Sequence, residues 1–155
     1  MINFFKNLFN DLNNPENRID DSYGNTKHKV EIATCALFLE VAKSDDNFSK
    51  DEKKLIIRLM RDTFDLSEDE VKELIKQADE IIESSVSLYE FTDVINSHFS
   101  KDEKYNVVKN LWRLILSDEK INKYEEHFIR TINRNLHLEH KDLIGAKLEV
   151  KNQMN

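Results

Sequence analysis

The sequence predicts an all-α fold: an internally duplicated helical bundle of about seven core helices preceded by an N-terminal amphipathic helix. Three observations predict it. The 155 residues contain only two glycines and one proline, which disfavours a turn-rich β fold. Apolar residues recur with helical spacing almost without pause from Lys27 onward. The chain also repeats itself. The segment from Leu39 to Glu52 returns as Trp112 to Glu125 at a constant offset, 118 − 45 = 73 and 125 − 52 = 73.

Ile2, Phe5, Phe9 and Leu12, with Phe4 and Leu8, form the apolar face of a short helix over residues 1–12. Residues 13–27 hold Pro15 and Gly24 among Asn and Asp and read as a linker. The helical domain is placed at 28–150, with a disordered tail at 151–155. Its first helix, about Lys27 to Ser44, carries Val30, Ala33, Cys35, Leu37, Phe38, Val41 and Ala42. Being apolar nearly all round, it should be central. The helices after it are expected at about 50–64, 68–84, 88–98, 101–116, 123–135 and 139–150. Their apolar positions include Leu55, Ile56 and Leu59, then Val71, Leu74 and Ile75, then Phe91, Val94 and Ile95. Trp112 with Leu111, Leu114 and Ile115 reads as core.

Helix starts are legible as capping boxes. Ser49, Ser67, Ser100 and Asn122 each stand three residues before a glutamate, Glu52, Glu70, Glu103 and Glu125. In that motif the cap oxygen accepts the third amide proton and the glutamate reaches back to the cap amide. Capping therefore accounts for Glu52 and Glu125 without any further role. The repeat continues beyond the boxes: Leu55, Ile56 and Leu59 match Phe128, Ile129 and Ile132, and Phe64-Asp65-Leu66 matches Leu136-His137-Leu138.

The net charge of −7 excludes non-specific nucleic-acid binding and disfavours docking on anionic lipid. Membrane contact is left only to residues 1–12. A single cysteine, Cys35, excludes an internal disulfide and a multi-cysteine zinc site, and its apolar surroundings read as a buried thiol. No apolar run reaches membrane-spanning length and no signal-peptide pattern is present, so the expected location is the cytoplasm. His28, His98, His127, His137 and His140 show no ligand spacing and read as surface residues.

The acidic loops carry the candidate chemistry. Asp45 and Asp118 follow helix C-termini, where a carboxylate faces the negative end of the macrodipole at a cost of roughly 0.3–1 kcal/mol. Asp46 and Glu119 add charge beside them. A cation would remove that cost, and hard ions such as Ca²⁺ or Mg²⁺, rather than Zn²⁺, take oxygen ligands of this kind. Asp45, Asp118, Glu52, Glu125, Asp46 and Glu119 are the candidate metal ligands. The loops are not EF-hands. Counted from Asp45, position six is Lys50 and position twelve Ile56, and the second copy has Lys123 and Ile129 there. Solvated turns with capping boxes are the competing reading. No catalytic constellation is visible, and the acidic cluster lacks the His or Lys a metal-dependent hydrolase would use.

Three stretches resemble the tellurite-resistance TerB-like family: Glu40 to Glu52, Leu88 to Ser100, and Leu111-Trp112 with Asp118 to Arg130. The middle stretch is similar to stand-alone bacterial members. The resemblance implies an all-helical, internally duplicated domain, thought to bind a divalent metal through its acidic loops and linked to stress responses. A similar domain forms part of membrane-anchored DnaJ-type co-chaperones, but this chain has no J-domain His-Pro-Asp. The family pattern usually has glycine after the loop aspartate, where this sequence has Asp46 and Glu119. The expected function is a non-enzymatic, divalent-cation-binding sensor or interaction module. The alternative is a metal-free scaffold that binds an unknown protein partner through its acidic face and N-terminal helix.

Overall fold

The computed structural model describes residues 22–44, 48–84, 87–117 and 123–154, with side chains from residue 27 onward. Within them the order is α1 (Ser22–Ala42), α2 (Lys50–Phe64), α3 (Glu68–Glu83), α4 (Leu88–His98), α5 (Lys101–Leu116), α6 (Lys123–Asn135) and α7 (His140–Met154). No strand occurs among the described residues. The helix expected over residues 1–12 lies outside them.

Two boundaries differ from the sequence reading. α1 begins at Ser22, inside the stretch read as linker, and carries Gly24 within its first turn. A glycine costs about 1 kcal/mol in a helix interior but much less at a fraying end. α7 runs on to Met154, through most of the stretch read as a disordered tail.

α1 is the axis of the bundle. It packs against α2, α3, α4, α5 and α6. Ile32, Ala33, Cys35, Ala36, Leu37, Phe38, Leu39 and Val41 are fully buried, as an all-round apolar helix requires. Each large side chain among them contributes roughly 1.5–3 kcal/mol by leaving water. The packing pattern is the same at both ends of the chain. α1 packs on α2 and α3, and α5 packs on α6 and α7. Across the middle, α1 meets α6 and α2 meets α5. The matched residues Ile56 and Ile129 are both fully buried, and Leu59 and Ile132 are both buried in the core.

Local chemistry sets the helix ends. Ser67 with Glu70 and Ser100 with Glu103 form complete capping boxes. Ser87 adds a cap that the sequence reading did not place, accepting the Glu90 amide at 3.4 Å. α2 ends at Asp65, whose φ is 55°, and α6 is followed by His137, whose φ is 62°. These are the two left-handed non-glycine residues of the described chain, and they occupy matched positions of the repeat. Trp112 is buried, as expected. Its Nε1 donates to the Leu143 carbonyl at 3.0 Å and ties α5 to α7, while the Lys147 ammonium lies 5.0 Å from its ring centre.

Candidate functional site

Asp45, Asp46, Asp118 and Glu119 lie outside the described residues. What the structure places is the frame on either side of them. α1 ends at Ala42, and Ser44 bonds back to the Val41 carbonyl through its hydroxyl at 2.7 Å. α5 ends at Leu116, and the Ser117 hydroxyl makes the same bond to Leu114 at 2.7 Å. Both serines sit directly before a loop aspartate, and both hold the chain against the last turn. At the end of α1, Lys43 forms an ion pair with Asp79 of α3 and lies 5.7 Å from the Phe48 ring centre.

Beyond the loops stand Glu52 and Glu125, each the third residue of its helix. Both are buried, at 7% and 3% exposure. The glutamates at the same helical position of α3 and α5, Glu70 and Glu103, are exposed and fold back onto their cap amides at 3.1 and 2.9 Å. Glu52 does something else. Its amide donates to the Ser49 hydroxyl oxygen at 3.1 Å, so the cap is made, but its carboxylate is buried rather than bonded back to the Ser49 amide, and that hydroxyl lies 3.4 Å from it. Capping therefore does not account for the buried Glu52 carboxylate, contrary to the sequence reading. Burying a carboxylate costs several kcal/mol unless hydrogen bonds or opposite charge compensate it. α2 and α6, which carry these two acids, both pack on α1 and α5, the helices that lead into the loops.

Glu40, half-buried near the end of α1, has its pKa raised by burial, with Lys43 opposing. Among the described residues no three His, Cys, Asp or Glu side chains converge as a metal site. Glu52 and Glu125 alone do not make one.

A separate cavity lies elsewhere. It is a cleft of about 600 Å³ among the ends of α2, α4 and α5, walled by Phe64 and Phe99, whose rings stack 6.2 Å apart. Its size falls within the roughly 300–1,000 Å³ range of small-molecule sites, but Thr63 and Glu103 on its rim are already hydrogen-bonded within the fold. Cys35 is fully buried, and burial, with Asp79 adding to it, pushes its thiol well above the ordinary range. The histidines are exposed or half-buried and form no cluster.

With the frame of the acidic loops in place, comparison with known proteins is informative. The family model for tellurite resistance protein TerB matches residues 31–148, most of the described bundle. The chain belongs to the TerB family. That span runs from the first buried turns of α1 into α7 and takes in both acidic loops. Among solved structures, a crystal structure of a protein of unknown function from Porphyromonas gingivalis W83 is similar in fold. Its TM-score is 0.60 at 19% identity, covering 81% of this chain and 95% of that one. No curated protein matches. No helix among the described residues of this TerB-family chain is long and apolar enough to cross a membrane.

Proposed function

We propose that this TerB-family protein is a non-enzymatic, cytoplasmic sensor or interaction module that binds divalent cations, Ca²⁺ or Mg²⁺ rather than Zn²⁺, at its two acidic loops. Asp45 and Asp118 are the primary ligands, Glu52 and Glu125 support them from the following helices, and Asp46 and Glu119 add charge. The observation that carries this reading is the burial of Glu52 and Glu125, against the exposure of Glu70 and Glu103 at the same helical position. A buried carboxylate beside an acidic loop is stabilised by a hard cation held between them.

Calorimetric titration of Ca²⁺, Mg²⁺, Mn²⁺ and Zn²⁺ into wild type and the Asp45→Asn/Asp118→Asn variant tests it. Binding by wild type that the variant loses is the expected result. No heat and no thermal shift with any of the four ions removes the reading. A metal-free scaffold then takes its place, a role for which exposed Ile144, Leu148 and Met154 on α7 offer apolar contact surface.

A further inference from the structure

Between α1 and α3 lies a smaller cavity of about 190 Å³, lined by neither Glu52 nor Glu125. Glu70, Glu73 and Gln77 of α3 face it at a spacing of three and four residues, which puts them along one helical stripe. Glu31 of α1 faces them. Glu31 is 6% exposed and accepts no hydrogen bond among the described residues. The Oε1 of Gln77 is buried and has no hydrogen-bond partner among the described residues. Glu70 is fixed by its capping bond to the Ser67 amide at 3.1 Å, which leaves its second oxygen available. Leu66 and Leu74 supply apolar wall, and His28 sits at the edge.

The lining selects its ligand by elimination. Three carboxylates and an orphaned amide oxygen reject an anion. The volume is below the roughly 300–1,000 Å³ of cofactor sites and suits a group of side-chain size. A bare hard ion is disfavoured. The carboxylates do not converge as a metal site. An alkylguanidinium fits these requirements. Its planar fork of five donors can be shared between acceptors on two helices, its weak hydration lowers the cost of entry, and its methylene stem lies on the leucines.

We propose that the cavity between α1 and α3 is a binding site for an alkylguanidinium group, held by Glu31, Glu73 and Glu70. The group is either an arginine side chain of a partner polypeptide or a free guanidinium metabolite.

Amide chemical-shift titrations of the full chain test this with N-acetylarginine amide, N-acetyllysine amide, Mg²⁺ and an arginine-containing glycine peptide. Saturable shifts confined to residues around Glu31, Glu73 and Gln77 are expected with the arginine compound. The affinity should fall about tenfold or more in both Glu31→Gln and Glu73→Gln, since each removes a charge-assisted bond. Glu73 is exposed, so its variant tests the site without altering a buried group. Tighter binding of the peptide than of the free amide assigns the group to a partner chain, and equal binding assigns it to a free molecule. The proposal is overturned by absence of saturable shifts, by equal binding of the lysine compound, by Mg²⁺ moving the same residues, or by undiminished binding in both variants. None of these outcomes bears on the proposed cation site, none of whose residues lines this cavity.

Discussion

Glu52 and Glu103 end the same tetrapeptide, Ser-Lys-Asp-Glu, at the same position of their helices, yet Glu52 is buried while Glu103 is exposed and bonded back to Ser100 at 2.9 Å. Local sequence is identical, so the difference is imposed by what each helix packs against. Replacement by glutamine should separate the two roles. Glu103→Gln keeps a capping side chain and should change stability by less than about 1 kcal/mol without affecting any cation response. Glu52→Gln should weaken divalent-cation binding by about tenfold or more, as loss of a residue supporting a metal site does. Thermal shift with and without added ion reads both.

Asp65 and His137 hold left-handed backbone angles at matched places in the repeat. A non-glycine residue there costs roughly 1–2 kcal/mol. His137→Gly should therefore stabilise the protein by about 1 kcal/mol, a rise of roughly 2–4 °C in Tm for a chain of this length. Asp65→Val should do the opposite, because a β-branched side chain tolerates that region worst. A drop on His137→Gly would mean that the imidazole makes contacts worth more than the strain.

Cys35 is fully buried and its thiol is held protonated by its surroundings. Because the thiolate is the reactive form, native protein should resist iodoacetamide at neutral pH and react only as it unfolds. Labelling followed across a urea titration should overlay the unfolding curve read by helical circular dichroism.

Burial raises the pKa of Glu31, and it outweighs the opposing charges of His28 and Lys27. The sign follows from proton binding. Between the ordinary carboxylate value and the raised folded value, the folded state binds the extra proton. Stability is therefore lost as pH rises through that window. Glu31→Gln should raise Tm at neutral pH, and the gain should disappear below the ordinary carboxylate range. An equal gain at acid and neutral pH would point to packing rather than ionisation.

Helix identity was legible because it is local. α2, α4, α5 and α6 begin and end where apolar spacing and caps place them. Ser22 as the start of α1 was not, because Gly24 and Asn25 act as breakers in isolation while a long apolar helix beyond them extends through. The candidate site was half legible. Repetition located the acidic loops, but nothing in Ser-Lys-Asp-Glu distinguishes a buried glutamate from an exposed one. The acceptors around Gln77 escaped for a related reason: Glu70 and Glu73 resemble any solvated helix face until Glu31 is seen to close the other side.

The position of α1 constrains how the chain can be taken apart. It touches the next five helices, including α6 of the opposite half. Neither half is therefore expected to fold as a free-standing module, despite their likeness. Severed between Ser84 and Ser87, the two fragments should each stay largely unfolded alone and regain helix when mixed, with α1 templating its partner. If so, the repeat is a pattern of sequence and packing and not a unit of folding.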